Sequence, residues 1–133
     1  MAVSIPEDFA DLLTTKIAFA HLGTVMKNGT PQVTPMWFSY DGRHIVMNSA
    51  KGRVKDRNMR ARPHVALSIL DPDNPYRYIQ IMGDVTEITE AGGDAHVNAL
   101  TRKYLGQDTY PYGQAGEVRV IYKVTPVRVQ TRG

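Results

Sequence analysis

The sequence predicts a mainly β protein, a closed or split antiparallel barrel of six to seven strands with two or three short helices. Two β-prone runs are closed by Asn28-Gly29 and Asp41-Gly42, dipeptides that form tight hairpin turns. Residues 76–89 alternate apolar and polar side chains over an unusual length. Strand-like segments also outnumber helical ones, and their short connections favour antiparallel neighbours and a barrel. With 133 residues and no repeats or linker, the chain reads as one domain, 1–133.

The elements follow in order. Ser4 can cap a helix, Pro6 suits its first turn, and Glu7 and Asp8 suit its positive end, with Phe9, Leu12 and Leu13 at helical spacing over about 6–14. From Ile17 the period changes, and strands are expected at 17–26, 32–40 and 43–49, forming a meander. Pro31 and Pro35 cannot donate to a ladder, so the second strand belongs at an edge or carries a bulge. Residues 53–61 read as a helix ended by Pro63, and 65–70 as the next strand.

In the long strand, Ile79, Ile81 and Val85 share one face with Gly83, which suggests a bend or a close approach. Gly92-Gly93 precedes a helix that Asp94 can cap, with a stripe of Val97, Leu100 and Tyr104 ending at Gly106. A loop over 107–116 leads to the last strand, with Val118, Val120, Tyr122 and Val124 in phase. Beyond Pro126 the phase slips to Val127 and Val129, which places a bulge there.

Composition narrows the function. A hydrophobic fraction of 42% and 22% charged residues exclude a disordered chain. No apolar run reaches membrane-spanning length and no basic-then-apolar leader is visible, so a cytoplasmic protein without membrane attachment is expected. The absence of cysteine rules out disulfides, thiolate nucleophiles and iron–sulfur clusters. His21, His44, His64 and His96 share no ligand spacing, so no metal is expected. Phosphate-loop, dinucleotide-fold and nucleophile-elbow motifs are missing.

The sharpest local signal is KGRVKDRNMRAR at 51–62. Lys51, Arg53, Lys55, Arg57, Arg60 and Arg62 face a single acid, Asp56, whereas the whole chain carries only +3. If helical, Arg53, Arg57 and Arg60 share one face and Lys55 and Arg62 another. A solvated basic helix, a nucleic-acid surface and a site for a small phosphorylated ligand all fit the pattern. The strand–turn–helix context favours the last, because helix-start N–H groups and the dipole aim at an anion. Nucleic acid lacks support from interleaved aromatics or a helix-turn-helix. A second signal is Thr34-Pro35-Met36-Trp37-Phe38, with the only tryptophan, which can build a flat apolar wall or simply pack. Tyr76, Tyr78, Tyr110 and Tyr112 could line a flat pocket in the same way.

Two stretches, G-x-P-x-x-x-P-x-W-F from Gly29 to Phe38 and A-x-x-R-x-K-x-R-N-x-R-x-x-P from Ala50 to Pro63, carry a family resemblance. Over about 6–131 the chain resembles the pyridoxamine 5′-phosphate oxidase-like, FMN-binding split-barrel proteins. Within them it looks most like the actinobacterial branch that uses the deazaflavin coenzyme F420. The resemblance implies a homodimer of split barrels with cofactor sites at the interface. It implies that Arg53 and Lys55 bind the cofactor phosphate with Lys51, Arg57 and Asn58 nearby, and that Asn48 and Ser49 lie beside the ring system. Thr34, Pro35, Met36 and Trp37 would flank the ring face, and Tyr78 and Gln80, from the partner subunit, would complete the pocket. Arg60 and Arg62 would suit the coenzyme's polyglutamate tail.

Related sequences often carry a basic residue where this chain has Met82 and Asp84, and Arg128 and Arg132 do not rebuild the oxidase's substrate motif. The implied function is F420-dependent hydride transfer to a small electron-poor acceptor of enone or lactone type. An FMN-binding reductase of the same fold, or a cofactor-binding protein without turnover, is the alternative. No dedicated catalytic acid is evident among the residues.

Overall fold

Period-two alternation builds one sheet, and the chain wraps that sheet into a split barrel. The computed structural model describes residues 2–133. Its strands are β1 (Ala20–Val25), β2 (Pro31–Met36), β3 (Phe38–Tyr40), β4 (Ile45–Ala50), β5 (His64–Asp71), β6 (Asn74–Thr89) and β7 (Arg119–Arg132). The helices are α1 (Asp11–Thr14), preceded by a 3-10 turn at Glu7–Phe9, then α2 (Val54–Ala61) and α3 (Gly93–Leu105). All seven strands lie in one antiparallel sheet in the order β2-β1-β5-β6-β7-β4-β3.

The meander expected over the first three strands is split. β2 pairs with β1 at one end of the strand order, while β3 pairs with β4 at the other. Only Trp37 separates β2 from β3, so the chain passes from one edge of the sheet to the other at that residue. Met36 is in register with Ala20 and Phe38 with Met47. One stretch of chain thus bridges the gap that hydrogen bonds leave open. The predicted edge position of the proline-bearing strand holds, because β2 is an edge and Pro35 faces His21 in its only ladder.

Two further expectations shift. Residues 17–19 precede β1, since Ile17 and Phe19 remain largely exposed and the Ala18 carbonyl accepts from the Tyr104 hydroxyl at 2.5 Å. Neither expected side-chain cap forms: Pro6 rather than Ser4 stands at the start of the first helix, and Gly92 rather than Asp94 at the start of α3. The bulge near Pro126 is present, since Met82 pairs with Arg128 and Gly83 with Pro126, leaving Val127 unmatched. A second irregularity leaves Thr86 unmatched between Val85 and Glu87.

The core fills the inside of the curled sheet. Leu22, Phe38, Ile45, Met47, Leu67, Ile69, Ile79, Ile81, Val120, Tyr122 and Val124 are all at most 1% exposed, with Leu12 and Leu13 of α1 and Met59 of α2 closing its ends. An ion-pair cluster ties the start of the chain to the β5–β6 turn. Arg77 bonds Asp11 at 2.6 Å and Asp71 at 2.9 Å and lies over the Phe9 ring, and Lys16 reaches Asp73.

Gly83 confirms the close approach read from its position. A Cβ there would lie 2.6 Å from Val124 Cγ1 and 2.7 Å from the Thr125 carbonyl oxygen. Gly83→Ala is therefore expected to destabilise the fold by about 2–3 kcal/mol, measured by urea unfolding. Gly23→Ala, whose Cβ would meet the Ala66 carbonyl at 3.4 Å, is expected to cost far less.

Candidate functional site

Helix α2 presents its cations because a buried acid anchors it. Asp56, 2% exposed, accepts from the Gly52 amide at 2.9 Å, from Arg60 Nε at 3.0 Å and, very closely, from the Tyr122 hydroxyl. Burial alone would raise its carboxyl, but these three donors outweigh that and hold it below the ordinary carboxylate range. On the opposite side of the helix, Asn58 is buried against β1, giving a hydrogen bond to Thr24 Oγ1 at 3.0 Å. Arg62 bonds the Val25 carbonyl at 2.7 Å and the Asn58 side chain. Asp56, Asn58 and Arg62 thus fasten the basic segment to the barrel.

The residues turned the other way line a cavity of about 190 Å³. Its wall is formed by Phe19, Pro35, Met36 and Trp37 from the crossing segment, Asn48 and Ser49 from β4, and Arg53 and Lys55 from α2. Val97 and Leu100 of α3, Tyr110 and Tyr112 of the following loop, and Arg119 of β7 complete it. The aromatic part is ordered by ring packing: Trp37 stacks on Tyr104 at 5.2 Å and meets Tyr110 edge-on at 6.0 Å, and Tyr110 meets Tyr112 at 5.7 Å. Tyr104, pushed up to about 12 by burial, keeps its hydroxyl proton for the Ala18 carbonyl.

A chain of hydrogen bonds runs behind this wall. Arg119, 8% exposed, donates from Nε to Asn48 Oδ1 at 2.8 Å and pairs with Glu117 at 2.7 Å. Asn48 donates from Nδ2 to the Gly93 carbonyl at 2.9 Å and to His96 Nδ1 at 3.1 Å. With Nδ1 accepting, the His96 proton sits on Nε2 and is given to Ser39 Oγ, 3.0 Å away. Burial, with the Arg119 charge behind it, lowers His96 to about 4, so the ring is neutral at ordinary pH. On the other side, Glu117 also lies 3.5 Å from Arg53.

Two polar groups at the cavity lack a matching partner. Lys55 is half-buried, and its ammonium finds only the Met36 sulfur, at 3.1 Å. Burial, then the charges of Arg53 and Arg119, lower its pKa. Ser49 is 1% exposed and its hydroxyl has no hydrogen-bond partner. A half-buried cation without an acid and a buried hydroxyl without a partner are costly unless another group satisfies them. The arrangement suits an anion beside a flat, apolar group.

Of the residues singled out in the sequence, the cavity gathers Pro35, Met36, Trp37, Asn48, Ser49, Arg53, Lys55, Tyr110 and Tyr112, but not Tyr76. Thr34, Lys51, Arg57, Asn58, Tyr78 and Gln80 do not line it. Lys51 pairs with Glu90 at 2.8 Å, and Arg57 turns back to the Gly52 carbonyl. Thr34 lies on β2 opposite Leu22, its hydroxyl buried and unpartnered. Tyr78 and Gln80 alternate with buried Ile79 and Ile81 and so face the outside of the sheet. Sequence reading missed Phe19, His96, Glu117, Arg119 and the stacking role of Tyr104. Their only sequence signal was polar or aromatic chemistry without spacing, since they join through β4, α3 and β7.

A split barrel with a cationic, aromatic-walled cavity beside its basic helix defines the class. The chain belongs to the pyridoxamine 5′-phosphate oxidase family, whose sequence signature matches residues 5–133. Among solved structures it is similar to an F420 reductase, with 39% identity and a TM-score of 0.85 over 95% of this chain and 98% of that one. It shares its fold with a conserved hypothetical protein, Rv2991, from Mycobacterium tuberculosis, with 23% identity and a TM-score of 0.76 over 98% of this chain and 86% of that one. General Stress Protein 26 from Bacillus anthracis has the fold too, with 16% identity and a TM-score of 0.68 over 94% and 92%. No curated protein matches the chain.

His96 makes stability depend on pH in a defined window. Its folded value, about 4, lies below the unfolded value near 6.5, so the unfolded chain binds the extra proton between them. Stability is expected to fall by roughly 2 kcal/mol as pH drops from 6.5 towards 4.5, measured by urea unfolding. His96→Gln is expected to flatten that slope.

Proposed function

We propose that the chain is an F420-dependent oxidoreductase that passes a hydride from the reduced deazaflavin to a small electron-poor acceptor, such as a conjugated enone or lactone. Lys55 carries the reading: a half-buried ammonium with no acid partner, next to Arg53, opens onto an aromatic-walled cavity. The likeness to an F420 reductase at 39% identity supports the same cofactor class. When bound, the coenzyme supplies the hydride chemistry. Arg53 and Lys55 hold its phosphate. Pro35, Met36 and Trp37 offer a flat apolar face and keep water from the reacting side.

The working unit is proposed to be a homodimer. A cavity of about 190 Å³ is smaller than the roughly 300–1,000 Å³ of a complete ligand pocket, which supports a site completed by a second chain. The outer face of β1, β5 and β6 supplies the docking surface. There Met82 is 41% and Val127 42% exposed, beside a cleft floored by Gly23, Ala66 and Gly83. Tyr78 and Gln80 project from that face, where they can reach a partner's cavity.

Fluorescence titration with F420 and with FMN tests the cofactor. Saturable F420 binding at micromolar concentration is expected, and its absence would sink the reading. Arg53→Ala combined with Lys55→Ala is expected to weaken binding by about a hundredfold or more, through two lost charged contacts, with little change in melting temperature. Met82→Glu is expected to shift the protein from dimer to monomer in sedimentation velocity. A monomeric wild type would reject the dimer.

A further inference from the structure

Among the described residues, Glu117 is the one acid that pairs with the cavity's cations. Its carboxylate lies 2.7 Å from Arg119 and 3.5 Å from Arg53, and its side chain is only 10% exposed. The backbone holds it there. The Glu117 amide donates to the Gln114 carbonyl at 3.1 Å, and the neighbouring Val118 carbonyl accepts from the Lys51 amide at 2.8 Å. The two arginines are not equivalent partners. Arg119 is committed to Asn48 and Glu117 and is itself buried, whereas Arg53 is about half exposed and holds Glu117 at a longer distance. Arg53 is therefore free to turn to a ligand, and Glu117, bound to Arg119, stays behind beside it.

A fixed negative charge beside a phosphate site repels the bound anion in proportion to the anion's own charge. A phosphomonoester carries close to two negative charges above neutral pH, and a phosphodiester carries one. The deazaflavin coenzyme holds its phosphate as a diester, FMN as a monoester. We propose that Glu117 tunes the charge selectivity of the phosphate site, holding back doubly charged phosphomonoesters more than singly charged phosphodiesters. The inference rests on the reading that Arg53 and Lys55 hold the cofactor phosphate. Lys55 and Arg53 attract both ligand classes, so Glu117 acts on their ratio rather than on binding as such.

FMN and its phosphate methyl ester separate charge from shape, because they share the flavin and differ by one negative charge. Both are titrated by fluorescence at about pH 8 against wild type and Glu117→Gln, with melting temperatures as the folding check. In the variant, FMN affinity is expected to rise roughly tenfold more than that of the methyl ester. Glu117→Asp keeps the charge and is expected to keep the wild-type ratio. Equal changes for both ligands in Glu117→Gln, or a loss of affinity for both, would overturn the inference while leaving the phosphate site intact; the latter result would show that Glu117 merely holds the arginines in place. Failure of both flavins and of F420 itself to bind either protein would overturn the phosphate assignment as well.

Discussion

The carboxylate of Asp56 collects the Tyr122 hydroxyl, the Gly52 amide and the Arg60 guanidinium inside the protein. Six cations within twelve residues would otherwise repel one another and leave the helix loosely held. One buried acid reverses this: it satisfies a free amide at the start of α2 and ties the helix to Tyr122 near the start of β7. A buried charge is costly without partners, so the position of the helix is set by the need to satisfy this one group. The side that faces the cavity is a consequence. With Asp56 and Met59 turned inward and Asn58 bonded to β1, Arg53 and Lys55 have the cavity left to them.

The second organising feature is the crossing at Trp37. Because the chain moves from one edge strand, β2, to the other, β3, at this point, its side chain stands where the two edges face each other. Tyr104 stacks on the indole ring, and its hydroxyl takes the Phe38 amide at 3.3 Å while giving its proton to Ala18. The irregular backbone on both sides of the seam is thereby satisfied by one side chain of α3. The aromatic wall of the cavity and the closure of the barrel are one structural device.

The two devices meet in the polar chain from Ser39 through His96, Asn48, Arg119 and Glu117 to Arg53. It links β3, α3, β4, β7 and the start of α2, which are the elements that surround the cavity. Each member uses its neighbour's remaining donor or acceptor, so an Asn48 that faces the cavity is nonetheless fully occupied by protein. What the cavity leaves for a ligand is narrower than its lining suggests: the Lys55 ammonium, part of Arg53, and the aromatic faces.

What depends on near neighbours is legible in the residues themselves. Turn dipeptides at 28–29 and 41–42, alternation along 76–89, the phase slip after Pro126 and the crowding of cations at 51–62 are local patterns, and each has its counterpart in the fold. Family motifs in the same two stretches pointed to Arg53, Lys55 and Trp37, which do line one cavity. Tertiary structure alone decided which charges are spent. Arg60, Arg62 and Asn58 look like Arg53 and Lys55 in the sequence, yet they are consumed by Asp56, the Val25 carbonyl and Thr24. Likewise nothing local marks His96, Glu117 or Arg119, which are far from the basic segment in sequence and gain their roles by pairing across β4, α3 and β7. Secondary structure follows from chemistry repeated along the chain. The balance of paired and unpaired charge depends on which distant groups burial brings within a few ångströms, and there the low dielectric makes every missing partner count.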